Sequence, residues 1–239
     1  VKDYGVVTVC AGKGLEGLFK ELGADGIVTG GQTMNPSTDD ILKEINRTPA
    51  NTVFVLPNNK NIIMAAEQCV RLSDKKVIII PTRTVPQGIP LCQDKQVIAI
   101  PSKTVPQGVT AMLNFNPEET EENLIAAMNE AAGNVHTAMV TYAARDSDFD
   151  GFDIHAGDYL GLCDGALAGT AREITTLLAS LADKAAEAGK EFINIFYGAD
   201  IQEPDAEAAL ELFRQHAPDA EVNLVSGGQP IYYYLISAE

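Results

Sequence analysis

The chain has 239 residues, 46% of them apolar, and carries 17 Lys+Arg against 33 Asp+Glu for a formal net charge of −16. Such apolar content supplies a packed core for one large or two small domains and excludes a disordered chain, while the acidic balance argues against nucleic acid, whose phosphates reward Lys and Arg. The longest apolar runs, such as Val53 to Leu56 and Val77 to Ile80, are a few residues each, far short of the roughly 20 that cross a bilayer, so no membrane span is expected.

The chain opens Val1-Lys2-Asp3-Tyr4, with no initiator Met and no basic-then-apolar leader, and reads as a piece of a longer cytoplasmic polypeptide. Val6 to Cys10 is an apolar run, followed by Gly12-Lys13-Gly14 and a helical pattern from Leu15 to Leu22 that Gly23 ends as a C-cap. Gly26 to Thr29 reads as a second strand. The loop Gly30 to Thr38 leads to a helix whose start is marked by Ser37 with Asp40 three residues on, an acidic form of the capping box. Thr52 to Leu56 is a third strand, turned by Pro57-Asn58-Asn59 into a helix from Lys60 to Leu72 with Asn59 as N-cap, and Val77 to Ile80 is a fourth. Continuous apolar strands alternating with amphipathic helices predict a parallel sheet covered on both faces.

An internal repeat follows. Val77 to Ile89 (VIIIPTRTVPQGI) matches Val97 to Val109 (VIAIPSKTVPQGV) at 9 of 13 positions with a 20-residue offset. The interval leaves hardly any room for a crossover helix, so one copy is expected to extend the sheet at an edge or a bend. In Pro101 to Gly108 two prolines predict an extended path.

The second half changes character. A helix from Pro117 to Ala132 precedes a strand from His136 to Ala144, and Asp150-Gly151, Ala156-Gly157-Asp158 and Asp164-Gly165 then punctuate short hairpin segments. Thr170 to Glu173 reads as a capping box for a helix to about Ala188, Phe192 to Tyr197 as a strand, and Pro204 as the opening of a helix to His216. Glu221 to Val225 and Ile231 to Ile236 are predicted to close the chain as strands around Gly227-Gly228. Residues 1–112 hold 12 Lys+Arg and 10 Asp+Glu, whereas 113–239 hold 5 and 23. This asymmetry suggests a parallel α/β subdomain over 1–112 and an acidic, mixed α+β subdomain over 113–239. An anion is better tolerated by the first, where Lys13, Lys60, Arg83 and Lys103 flank loops; alternatively, the acidic helices of the second serve solubility alone.

Cys10, Cys69, Cys92 and Cys163 form no CxxC pair and read as reduced core thiols. His136, His155 and His216 lack zinc-site spacing, so no metal is expected. There is no P-loop, no GxGxxG after a strand, no GxSxG elbow, and no histidine before His136.

In an open parallel sheet, ligands bind beyond the carboxyl ends of the strands, and three loops stand there. In GGQTMNPST, Gly30 and Gly31 permit close backbone approach, Gln32, Thr33 and Asn35 offer donors and acceptors, and the next helix N-terminus favours an anion. A turn satisfied by its own Asn and Ser side chains accounts for the same residues. The second loop supplies Asn58, Asn59 and Lys60, and the third Lys103, Thr104 and Gln107.

Taken together, GGQTMNPST, LPNNKNI with MAAEQ, PSKTVPQG, LNFNP, VTYAARD and GGQPIYYYLIS resemble the C-terminal region of the bacterial dihydroxyacetone-kinase-like proteins that form the kinase subunit of fatty acid kinase. The resemblance covers essentially the whole chain. It implies the fold that DegV-type fatty-acid-binding proteins share with the dihydroxyacetone-binding subunit of the other kinase, in which one parallel α/β lobe is joined to a mixed one. It implies a module that binds no cofactor itself and docks a DegV-type partner, whose acyl carboxylate is phosphorylated with Mg-ATP held by an N-terminal domain of the same polypeptide. A homodimer is left open. The alternative is a domain that itself binds an acyl chain or a phosphorylated metabolite; an independent enzyme such as a phosphatase has the least support. Two departures stand out: the family pattern has one PTKTVPQG element, and the histidine that holds dihydroxyacetone in relatives has no counterpart in the first half.

Overall fold

Strand β1 (Lys2–Cys10) lies at the centre of the first sheet, because its run Val6-Val7-Thr8-Val9 is buried on both faces. No polar alternation is needed in a strand covered on two sides. After helix α1 (Lys13–Glu21), strand β2 (Gly26–Thr29) pairs along one side of β1; after α2 (Thr38–Arg47), strand β3 (Ala50–Leu56) pairs along the other. Helix α3 (Ile63–Leu72) and edge strand β4 (Lys76–Ile78) complete a four-stranded parallel sheet in the order β2-β1-β3-β4. The predicted parallel α/β architecture is present. The computed structural model describes residues 1–31, 34–78, 105–149 and 151–239.

On one face of the sheet, Ile41 and Ile45 of α2 and Ile62, Ala66 and Cys69 around α3 pack on Val7, Val9, Val53 and Val55. Phe54 instead stacks edge-to-face with Tyr4 and with Phe115, each at 5.8 Å. Phe115 follows helix α4 (Val105–Leu113), which packs against α5 (Glu121–Asn134). The Ser37–Asp40 capping box forms as its sequence predicts: Asp40 accepts from the Ser37 amide at 2.9 Å and hydroxyl at 2.7 Å, and its own amide donates back to Ser37.

Several local expectations are corrected. The 60–72 helix begins at Ile63, and its N-cap Ile62 has no side-chain cap, because Asn59 is engaged elsewhere. The end of the Pro101–Gly108 motif is not extended: Val105 opens α4, with Pro106 in the first turn, where a missing N–H leaves no helical bond unmade. Thr170 lies in a strand rather than capping a helix, whose N-cap is Glu173.

The chain divides into two compact units, Val1–Ala11 with Glu16–Asn134, and Gly12–Leu15 with Val135–Glu239. The second unit holds β5 (His136–Tyr142), the hairpin β6 (Ser147–Phe149) and β7 (Phe152–Ile154), β8 (Tyr159–Cys163), β9 (Ala166–Ala171), α6 (Ile174–Glu187), β10 (Phe192–Tyr197), α7 (Glu203–His216), β11 (Glu221–Ser226) and β12 (Tyr234–Ala238). Its main sheet runs β11-β10-β12-β5-β8-β9, mixed because β10 and β11 are parallel and the other neighbours antiparallel. Leu177, Leu178 and Leu181 of α6 and Ala209 and Phe213 of α7 bury against Val140, Ile193, Ile195 and Ile236. The last strand starts at Tyr234 rather than Ile231, whose positive φ of 70° cannot continue a ladder.

Among the described residues no helix is long and apolar enough to cross a membrane, and no group of three or more His, Cys, Asp or Glu side chains could hold a metal. Burial pushes the Cys10 thiol up to about 12 and the Cys69 thiol up to about 11. Cys92 lies outside the described residues. Iodoacetamide mapped residue by residue at pH 8 is expected to leave Cys10 and Cys69 unmodified until denaturant is added. Because the folded pKa of Cys10 is raised, its neutral form contributes stability that is whole below pH 9 and is lost between pH 9 and about 12. A Cys10→Ala variant should accordingly lose less stability than the parent over that window.

Candidate functional site

Strands β1, β2 and β3 point the same way, and the register pairs Cys10 with Thr29 and Thr8 with Leu56, so the loops that follow them emerge at one edge of the sheet. The Gly30 amide donates to Cys10 O at 3.0 Å and the Gly31 amide to Met34 O at 2.9 Å, which ties the double glycine to the end of β1 and to Met34. Gly31 sits at a φ of 95°, and a Cβ there would come within 3.2 Å of the Ile62 methyl. Only glycine suits both the conformation and the space.

The next loop is fastened to this one. The Asn59 amide donates to Gly31 O, and its Oδ1 accepts the Asn61 amide at 2.8 Å. Asn58, at a φ of 55°, turns the opposite way and is buried, donating from Nδ2 to Thr8 Oγ1 at 2.8 Å and to Val9 O at 2.9 Å. Asparagine accepts the left-handed conformation more readily than most residues. The third motif meets Asn58 directly: a Cβ on Gly108 of α4 would stand 2.1 Å from its Oδ1 and 2.7 Å from its Cγ.

Residues of the three motifs are therefore brought together, Gly31 by its bond from Asn59 and Gly108 by its close approach to the Asn58 side chain. Gly30 and Gly31 shape the turn, Asn59 bonds to it, Asn58 is anchored on Thr8 and Val9 of β1, and Gln107 is half-buried in α4. Asn35 and Lys60 are exposed. Gln32, Thr33, Lys103 and Thr104 lie outside the described residues. Two further surface residues stand in or beside these loops, Met34 of the first loop at 77% and Met64 of α3 at 71% exposure. A sequence signal for Met64 exists: it falls off the stripe Ile62, Ala66, Cys69 that α3 buries. Burial keeps the Cys10 thiol, which ends the strand before the first of these loops, protonated at neutral pH, and the described residues of the loops supply donors, acceptors and apolar contact.

A second close approach lies within the second unit, where the Gly12-Lys13-Gly14 turn packs with the Ser226–Gln229 loop. The Leu15 amide donates to Gly227 O at 3.0 Å, while the Gly227 and Gly228 amides donate to Tyr197 O at 3.0 and 3.1 Å. Gln229, 1% exposed, donates from Nε2 to Phe196 O at 2.9 Å. The Gly12-Lys13-Gly14 segment is thus a backbone seat: Gly12, at a φ of 115°, and Gly14 leave no space for a side chain against this loop.

Residues 5–93 and 90–239 match the C-terminal family model of FakA-like fatty acid kinase proteins. The two segments overlap at 90–93, between the two copies of the tandem repeat. The protein YloV of Bacillus subtilis is 39% identical over 238 residues, which is 100% of this chain and 39% of YloV. The chain spans about two-fifths of the length of the curated relatives it matches. In fold it is similar to the DegV family protein Cg2579 from Corynebacterium glutamicum, with a TM-score of 0.65 and 14% identity over 99% of this chain and 96% of that one. It is likewise similar to the fatty acid kinase B3 protein of Streptococcus pneumoniae, solved loaded with linoleic acid, with a TM-score of 0.62 and 11% identity over 99% of both chains. The motif order in the sequence, the parallel and mixed sheets and the family match agree, and the chain belongs to the FakA-like C-terminal family of fatty acid kinase proteins.

Proposed function

We propose that this chain is the docking region of a fatty acid kinase, engaging a DegV-type fatty-acid-binding protein so that the acyl carboxylate it presents is phosphorylated by ATP and magnesium on a separate domain of the kinase polypeptide. Family membership supports the setting. The observation that carries the reading is the loop region of the first unit, which bonds such as that from Asn59 to Gly31 pre-order, and in or beside which Met34, Asn35, Lys60 and Met64 are each exposed. Ordering the loops before contact lowers the entropy lost on association. Methionine is enriched at interfaces, and its flexible thioether adapts to a partner surface. Lys60 favours an acidic patch or an anionic group opposite it.

The test is titration calorimetry of this chain with an oleate-loaded DegV-type protein. A defined complex is expected, weakened about tenfold in a Met34→Ala, Met64→Ala variant. Lys60→Glu is expected to cost roughly threefold and to flatten the dependence on salt. Mg-ATP alone should give no heat with this chain. No complex, or one indifferent to these substitutions, would remove the docking role, and a fatty acid co-purifying with this chain in native mass spectrometry would place the acyl site here instead.

A further inference from the structure

The second unit carries a cavity of about 350 Å³ between α6, α7 and the tyrosines leading into β12. Its floor is apolar, made by Leu178, Ile201 and Leu212. Its wall is aromatic: Tyr233 stands edge-on to Tyr159 at 5.5 Å, and Tyr142 backs it at 6.1 Å. Its rim carries two exposed carboxylates, Asp200 and Asp205. Among the described residues neither takes part in an ion pair.

The rim is held in place. The Gly198 amide donates to Tyr233 O at 2.8 Å, fixing the start of the loop that bears Asp200, and the Tyr234 hydroxyl reaches Asp205 O at 3.4 Å. Burial, then Asp205, pushes the Tyr234 hydroxyl up to about 12. Burial, then Tyr159, Asp200 and Tyr142, raises that of Tyr233. Both rings stay neutral, and the charge at the cavity is that of the two carboxylates, in the half of the chain that holds 23 Asp+Glu against 5 Lys+Arg.

An apolar floor, aromatic rings and two carboxylates that have no basic partner among the described residues form a receptor for a cation on an alkyl stem. We propose that this cavity binds an ammonium or guanidinium group, its methylenes lying on Leu178, Ile201 and Leu212 and its charge set between Asp200, Asp205 and the ring of Tyr233. Attraction to the ring quadrupole adds to the carboxylates, and both reject anions. The site is therefore distinct in chemistry from one that would hold an acyl carboxylate or a phosphate, and it stands whether or not the docking reading does.

The cation comes either from a free amine or from a Lys or Arg side chain of another protein, and one amide-resolved NMR titration separates them. The whole chain is titrated with agmatine, with acetyl-Gly-Arg-Gly-amide and with the uncharged citrulline analogue of that peptide. Saturable shifts at Thr175, Asp200 and Tyr233 are expected with agmatine, with the arginine peptide, or with both, and not with citrulline. Binding of agmatine identifies a free amine as sufficient; binding of the peptide alone identifies a partner's side chain. Asp200→Asn with Asp205→Asn, both exposed positions, should retain a dispersed spectrum and weaken binding about tenfold. Absence of saturable shifts with either cation, equal binding of the citrulline peptide, or an unchanged affinity in the double variant would overturn the proposal.

Discussion

Gly14→Ala is expected to destabilise the chain by about 3 kcal/mol or more, while Gly17→Ala in the same helix is expected to stabilise it by about 0.5–1 kcal/mol. The intrinsic preference is the same at both sites, since alanine is the better helix former. The surroundings decide the sign. A Cβ on Gly14 would lie 1.6 Å from the carbonyl oxygen of Ser226, 2.7 Å from its carbon and 3.0 Å from Gly227 O. These are backbone atoms, and the Ser226–Gly228 loop is already committed through the bonds from Gly227 and Gly228 to Tyr197. It cannot give way without losing them. A Cβ on Gly17 meets nothing within 4 Å, so only the gain in chain stiffness remains. Urea denaturation of the two variants beside the parent measures both signs in one experiment, and equal shifts in the same direction would show that the Gly14 seat is not formed.

Gly108→Ala is expected to cost about 2–3 kcal/mol, because the new methyl overlaps the buried Asn58 amide. Asn58→Gly is expected to cost a similar amount, roughly 2 kcal/mol, by withdrawing a donor from Val9 O and from the Thr8 hydroxyl. Glycine keeps the φ of 55° open at that position. The two changes relieve each other, since removal of the amide vacates the place the Gly108 methyl needs. The double variant should therefore be more stable than the sum of its parents by roughly 1–2 kcal/mol, a coupling that neighbouring residues show and distant ones do not. Strict additivity in a thermal or urea double-mutant cycle would mean that Gly108 and Asn58 are not in contact in solution. The pair also bears on the tandem repeat. Val77 and Ile78 of β4 come from the first copy, and Val105 to Gly108 of α4 from the second, so it is the second copy whose Gly meets Asn58.

The loops show where reading the sequence reaches and where it stops. GGQTMNPST and LPNNKN were legible as neighbours because each follows a strand of a parallel sheet, and the strand ends gather at one edge. Which amides face outward was not legible. Asn58 and Asn59 are adjacent and chemically identical, yet one is buried against Thr8 and Val9 and the other reaches across to Gly31. The left-handed φ of Asn58 reverses its direction relative to Asn59, and nothing within the loop's own residues distinguishes the two. Thr170 to Glu173 failed for a related reason. Its pattern is a valid cap, but the β8–β9 ladder takes Thr170 as partner of Leu160 and leaves Glu173 at the helix start.

What the sequence determined by itself is the part governed by near neighbours: the β-α alternation of the first half from its uninterrupted apolar strands, the Ser37–Asp40 capping box, the helix opened near Pro204, and the family from motif order. Those features depend on residues within a turn or a strand of one another, so their physics is present in a short window. Tertiary structure alone decided the seat of Gly14 on Ser226, the contact of Gly108 with Asn58, the exposure of Met34 and Met64, and the meeting of Asp200 and Asp205 with Tyr233. Each joins segments far apart in the chain or depends on which neighbours cover it, and a side chain's role there is set by what stands opposite it.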